Sequence, residues 1–189
     1  MKKVGILGGT SDPPHIGHLI IANEVLSALQ LDEVRFMPNH TPPHKQKTET
    51  VSNEDRIKML KFSIMGHPQF SLELTEIESP GTSYTYETMQ RLKEKEPDSD
   101  YYFIIGADMI EYLPRWYNID QLVQLVHFVG VDRPPYKSDT TYPVRLIDVP
   151  QIYLSSSYIR DKVKAGLSIK YLVAPAVEKY IEENSLYES

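Results

Sequence analysis

The chain contains no cysteine, which excludes a disulfide framework, a thiolate metal site and a cysteine nucleophile together. It also lacks any stretch near the roughly 18 continuous apolar residues of a membrane span, and Met1-Lys2-Lys3 runs straight into a short strand-like segment instead of a signal sequence. Positive charge is scarce: 20 Lys and Arg stand against 26 Asp and Glu, a net charge of −6. A broad nucleic-acid surface is usually basic, so that partner is not expected. A small polyanion is still admissible, because basic residues cluster at His40–Lys47 and Arg160–Lys164. With 189 residues, 41% of them apolar, the expectation is a soluble cytoplasmic protein with neither nucleic-acid nor membrane partners. It would form one domain over residues 1–189, with a small C-terminal helical part from about 155 to 189.

What is present is an alternation of strand and helix signals. Val4–Leu7 reads as a buried strand, Gly17–Leu29 carries apolar residues at helical spacing, and Val34–Pro38 is a second strand stopped by proline. A polar loop, Asn39–Val51, leads to a helix opened by Ser52 with Asp55 at the capping-box position. Phe70–Ile77 alternates with period two and predicts a strand, broken by Ser79-Pro80-Gly81. A helix from about Tyr84 to Lys95 follows, with Thr82 or Ser83 as cap. Strands at Tyr101–Ile105, Phe128–Val131 and Val144–Ile147 are expected, and helices at Ile119–Val126, from Ser155–Ser157 to Lys164, and at Pro175–Glu183. This order predicts an α/β fold: a Rossmann-like, doubly wound parallel sheet with helices on both faces. In such sheets ligands sit beyond the carboxyl ends of the strands. The stretch after Leu7, the Pro38–Lys45 segment and Gly106–Asp108 all fall there.

The first of these reads GGTSDPPHIGH, residues 8–18. It is neither a P-loop, lacking Gly-Lys-Ser/Thr, nor a dinucleotide fingerprint, lacking the third glycine. Gly8 and Gly9 allow a sharp turn and close ligand approach, and Pro13-Pro14 delays the next helix. His15 and His18, three apart, then share one face near a helix N-terminus, an arrangement suited to a phosphate chain. Two histidines are too few for a zinc site, so no metal-ligand set is assigned. In LSSSYIR, residues 154–160, the serines suit an N-cap or an anion, and Arg160 suits phosphate oxygens or solvent. Lys45 lies in a basic turn, Pro42–Lys47. Asp108 suits either a helix N-cap or ribose hydroxyls, and Trp116, the single tryptophan, either the core or a stacking surface. Thr82–Tyr86 opens a helix whose free N–H groups could take a carboxylate.

GGTSDPPHIGH together with SSSYIR resembles the HxGH nucleotidyltransferase superfamily. PPHKQ, SYTYET, IIGADM, PRWY and the final LYES are similar, along essentially the whole chain, to bacterial nicotinate-mononucleotide adenylyltransferases. The resemblance implies that ATP and nicotinate mononucleotide (NaMN) are substrates, with Mg²⁺ accompanying ATP. AMP would pass to the NaMN phosphate, giving deamido-NAD (nicotinate adenine dinucleotide) and pyrophosphate for NAD biosynthesis. It implies catalytic roles for His18, His15 and Arg160, and an ATP site of Gly8, Gly9, Thr10, His15, His18, Ser156, Ser157, Ile159 and Arg160. Lys45, Tyr84, Thr85, Asp108 and Trp116 would serve the second substrate, Tyr84 and Thr85 by backbone N–H groups to the nicotinate carboxylate and Trp116 by stacking on the pyridine. A homodimer is compatible with the resemblance. Departures are Ser11 where phenylalanine is common, which predicts a looser turn, Ser157 for a threonine, and Pro135 for a glycine in Arg133–Tyr136. The rival readings are another HxGH adenylyl- or cytidylyltransferase acting on NMN or pantetheine phosphate, and a nucleotide sensor without catalysis.

Overall fold

The computed structural model describes residues 1–40, 51–79, 81, 84–131 and 140–189. Its strands are β1 (Lys2–Gly9), β2 (Glu33–Pro38), β3 (Phe70–Leu72), β4 (Ser99–Gly106), β5 (Val126–Val131) and β6 (Val144–Ile147). All pair in parallel, in the order β3-β2-β1-β4-β5-β6. Parallel neighbours need crossovers. These are α1 (Ile16–Ala28) after β1, α2 (Asn53–Ile64) after β2, α3 (Thr75–Glu78) and α4 (Thr85–Lys95) after β3, and α5 (Ile119–Leu125) before β5. Two more helices, α6 (Ser156–Lys164) and α7 (Pro175–Glu183), follow the last strand. The sheet grows outward from β1 to β3, then resumes on the other side of β1 with β4. That switch point leaves a crevice at the carboxyl ends of β1 and β4, and the expected Rossmann-like fold is the one observed.

Period-two alternation sorts the strand side chains between two faces. Val4, Ile6, Tyr101, Phe103 and Ile105 pack with Met89 and Leu92 of α4 and Leu122 of α5. On the opposite face Val34, Phe36 and Ile104 pack with Val25 and Leu26 of α1 and Leu60 and Ile64 of α2. Burying a side chain of this size contributes roughly 1.5–3 kcal/mol. A third cluster sets Ile159, Val177 and Ile181 of the C-terminal helices against Met59 of α2. Helix α2 is thus covered by the sheet and by the C-terminal part, and its Asp55 accepts a hydrogen bond from the Tyr180 hydroxyl at 2.5 Å. No described helix is long and apolar enough to cross a membrane.

Three expectations need correction. The strand foreseen over 70–77 stops at Leu72, and residues 75–78 are helical. This edge strand pairs only with β2. Beyond it the Glu73 carboxylate accepts from the N–H and hydroxyl of Thr75 (3.2 and 2.6 Å), turning the chain into α3. Residues Ala107–Arg115, given no element by the sequence, form a 3-10 helix. Its three-residue period brings Ile110 and Leu113 onto one side, where both are buried. Finally, β1 and β4 outrun their apolar cores because Lys2, Lys3, Gly8 and Gly9 continue the ladders. The cap foreseen at Thr82 or Ser83 lies outside the described residues; Tyr84 is the N-cap of α4, with no side-chain cap bond. Arg35 ties β2 to its neighbours, bonding Glu96 at 2.9 and 2.8 Å, Glu33 at 2.8 Å and Glu73 at 3.2 Å. Burial disfavours its charge, but the bonds to Glu96 and Glu33 outweigh this and hold the guanidinium above its ordinary value.

Candidate active site

Between Gly9 and α1 the chain has six residues in which to reverse. Ser11 takes a left-handed conformation (φ 52°), the Asp12–Pro13 peptide is cis, and Pro13 and Pro14 are buried. His15 then stands at the N-cap, extended at φ −135° and ψ 174°. Its Nδ1 accepts the Gly17 N–H at 3.1 Å, and Nδ1 of His18 accepts the His15 N–H at 3.0 Å. The two imidazoles therefore cap the helix reciprocally, the role Ser and Glu play in a capping box. A ring nitrogen that accepts a hydrogen bond carries no proton, so each neutral ring holds its proton on Nε2. The rings stack with centroids 3.7 Å apart and planes 28° from parallel.

Gly17 is required by this stack. A Cβ there would fall 2.8 Å from Cε1 and 2.9 Å from Nδ1 of His15, displacing the ring from its cap. Other elements brace the turn. Arg56 of α2, fully buried, donates to the Thr10 carbonyl (2.7 Å), to the Asn39 carbonyl (2.7 Å) and to the side chain of Asn53 (2.6 Å). From α6, Arg160 donates to the Asp12 carbonyl and Ser156 to the Pro13 carbonyl, both at 2.8 Å. The Ile16 N–H donates to the Leu172 carbonyl at 2.9 Å, and the Tyr187 hydroxyl donates to the Asp12 carboxylate. Burial first, then the Asp12 charge, push the Tyr187 phenol well above its ordinary value, so it serves as a donor. Ser155 is the N-cap of α6, accepting the Tyr158 N–H at 3.1 Å, and Ser157 accepts from Arg160 at 3.2 Å.

A cavity of about 830 Å³ opens against this turn and joins five of the residues predicted from sequence: Thr10, His18, Ser156, Ser157 and Arg160. Tyr187, from the final LYES, adds a wall to which the sequence had assigned no role. His15 lies behind His18, 6% exposed, and is a support for its neighbour more than a wall. Ile159 is fully buried in the C-terminal cluster, and its N–H is directed to the Ser155 carbonyl. Its part in the site is to seat α6. Gly8 and Gly9 end β1, and open space lies where a Gly9 Cβ would stand.

Of the second-substrate residues, Tyr84, Thr85, Asp108 and Trp116 are described and are not among the cavity's lining residues. Tyr84 and Thr85 open α4, and the Tyr84 side chain makes no cap bond to its first N–H groups. Tyr84 packs on Tyr117 with centroids 4.7 Å apart. Trp116 is half-buried, meeting Phe103 and Phe128 edge-on at 6.1 and 5.8 Å. One edge of this tryptophan is thus core, and the residue is not sealed in. Phe103 bridges to the first site, since its Cζ lies 3.7 Å from where a Gly8 Cβ would be. Asp108 follows β4 at the exposed start of the 3-10 helix, whose N-cap is Gly106. Asp108 is therefore not the cap. Lys45 and Arg133–Tyr136 lie outside the described residues. Among the described residues no three His, Asp or Glu side chains cluster as a metal site.

A parallel sheet ordered 3-2-1-4-5-6 with a histidine-capped turn at its switch point defines a nucleotide-binding transferase, and a cytidylyltransferase-like family model matches residues 6–162. A nicotinate-nucleotide adenylyltransferase of Bacillus subtilis is 51% identical over 189 residues, all of both chains. A probable nicotinate-nucleotide adenylyltransferase of Geobacillus thermodenitrificans is 54% identical, over 99% of this chain and 87% of the relative. The chain belongs to the nicotinate-nucleotide adenylyltransferase family. Its fold is that of the Plasmodium falciparum nicotinic acid mononucleotide adenylyltransferase solved in complex with APC and with NaAD. Each of those structures has a TM-score of 0.81 at 22% identity and covers all of this chain and 98% of the other.

Three features escaped the sequence reading. Gly17 carried a signal, since a glycine inside a helix costs about 1 kcal/mol and asks for a packing reason. Arg56 carried none, its partner being 46 residues away; Tyr187 stands in the family-like LYES, but its contact with Asp12, 175 residues away, had no signal.

Proposed function

We propose that the protein transfers AMP from ATP to nicotinate mononucleotide, giving nicotinate adenine dinucleotide and pyrophosphate, in NAD biosynthesis in the cytoplasm. The observation that carries this is the reciprocal histidine cap, because it leaves the proton of His18, a wall of the cavity, on Nε2 as a donor to a phosphate. The substrate choice is supported by the full-length relatives and by the start of α4, where the Tyr84 side chain makes no cap bond, together with a half-buried tryptophan. The phosphate oxygen of NaMN attacks the α-phosphorus of ATP, the bond to the β-phosphate breaks, and pyrophosphate leaves. No covalent enzyme intermediate is needed; catalysis is positioning and stabilisation of growing charge.

In this mechanism the His18 Nε2–H donates to the α-phosphate as its charge grows, and His15 holds the His18 backbone and ring in place. Arg160 has five N–H donors, of which two are committed to Asp12 and Ser157. Those remaining, with the Ser156–Ser157 segment and Lys45, hold the β- and γ-phosphates. The α4 N–H groups of Tyr84 and Thr85 receive the nicotinate carboxylate, Trp116 stacks on the ring, and Asp108 accepts from a ribose. Mg²⁺ fits as a companion of ATP, neutralising its phosphates, because that ion is commonly held by phosphates and water plus at most a carboxylate or two. The whole of residues 1–189 acts as one domain, its part from about 155 supplying Arg160 and the serines. Pyrophosphate release with NaMN and NMN side by side tests the substrate. NaMN is expected to be preferred, since a neutral amide forgoes the charge interaction at the helix start. Equal or faster turnover of NMN overturns that choice.

A further inference from the structure

The Asp12 side chain has no part in the chemistry above, yet it is almost completely buried, 2% exposed, directly beside the residues that do. The Tyr187 hydroxyl donates to it from the far end of the sequence. Among the described residues, hydrogen bonds from the C-terminal part converge on residues 12–16: Arg160 donates to the Asp12 carbonyl, Ser156 to the Pro13 carbonyl and Tyr187 to the Asp12 carboxylate, while the Ile16 N–H donates to the Leu172 carbonyl. Of these, the Tyr187 bond reaches a side chain of the turn and comes from beyond α7. The segment that brings it is not in relaxed backbone. Ser185 and Tyr187 both take left-handed conformations (φ 50° and 64°), which residues with a Cβ adopt at a cost. The segment is held there by its contacts, among them Leu186 and Tyr187 packed on the C-terminal cluster.

We propose that Tyr187 is a positioning residue for adenylyl transfer: its bond to Asp12 fixes the 10–15 turn and, through it, the place of the His18 Nε2–H. The inference rests on the transfer proposed above. Arg56 reinforces the same arrangement by holding the Thr10 carbonyl. The turn is therefore held both by α2 and by the segment after α7. A displacement of about 1 Å at a reacting group can cost on the order of a hundredfold in rate, so such a clamp acts on turnover more than on affinity.

Tyr187→Phe keeps the ring and removes the hydroxyl. Its kcat with ATP and NaMN is expected to fall about 10- to 100-fold, with KM for ATP within about threefold of wild type. In an Asp12→Ala background the same change should add nothing, because both substitutions break one bond. Imidazole ¹⁵N spectra supply a readout independent of substrate, in which the His18 ring signals should shift in Tyr187→Phe. If wild type fails to turn over NaMN, the transfer reading falls, and the ¹⁵N spectra still decide the role of Tyr187. Unmoved His18 signals, a full additional loss in the Asp12→Ala background, or a raised KM for ATP at unchanged kcat would each overturn the proposal.

Discussion

A histidine in the N-cap position is an uncommon choice, since Ser, Thr, Asp and Asn lead there. Here it lets one set of atoms do two things. Nδ1 of each ring closes the helix start, and that same bond leaves the proton on Nε2, which in His18 is the donor of the proposed transfer. The glycine between them follows from the geometry, because any Cβ at Gly17 meets the His15 ring at 2.8 Å. Gly17→Ala is therefore expected to lower kcat at least about tenfold while helix content holds or rises, alanine being the better helix former. Steady-state kinetics with far-UV circular dichroism checks this, and unchanged kcat would contradict the packing argument. Ser11 is a smaller puzzle. The sequence led us to expect a looser turn where phenylalanine is common, but the carbonyls on both sides of Ser11 are hydrogen-bonded, Thr10 to Arg56 and Asp12 to Arg160.

Among the elements, the helices and strands with long unbroken patterns were legible: α1, α2, α4, β6 and α7 fall where apolar spacing puts them. What was not legible is where an alternating pattern stops. The period-two signal continues past Leu72, yet an edge strand with one neighbour has little to hold it, and the Glu73 side chain competes for the Thr75 N–H. The short α3 that results carries Glu76, whose carboxyl is pushed up from 4.5 to about 7 by burial. A carboxyl raised in the folded state favours folding fully below its unfolded value. That contribution declines as pH rises from 4.5 and is gone above about 7. Glu76→Gln does not titrate, so its melting temperature relative to wild type should climb between pH 4.5 and 7 and level off beyond. Thermal melts across that range check the sign; a difference that is flat or falls with pH would show that Glu76 is not desolvated in the folded chain.

At the scale of the molecule, the fold brings three sequence-distant pieces to one edge of the sheet: the turn after β1, the start of α4 with the 3-10 helix after β4, and the C-terminal helices. The first was legible because its residues are consecutive, and the family motifs mark the other two. The links between them were not, because Tyr187 to Asp12 and Arg56 to Thr10 are contacts of tertiary structure with no local pattern. The separation of the about 830 Å³ cavity from Tyr84, Thr85, Asp108 and Trp116 has a chemical sense. On the function proposed above, ATP would fill the cavity, the mononucleotide would lie against α4 and the 3-10 helix, and the two would meet at His18. The account therefore stands on His18 as the donor to the phosphorus under attack. The most direct test follows α-labelled ATP with NaMN and Mg²⁺ in wild type and His18→Ala, with ATP binding measured on both proteins. Label should pass into the dinucleotide in wild type, while His18→Ala should bind ATP normally and transfer it on the order of 10²–10³ times more slowly. Transfer at the wild-type rate by His18→Ala, or pyrophosphate released without labelled dinucleotide, would contradict the account.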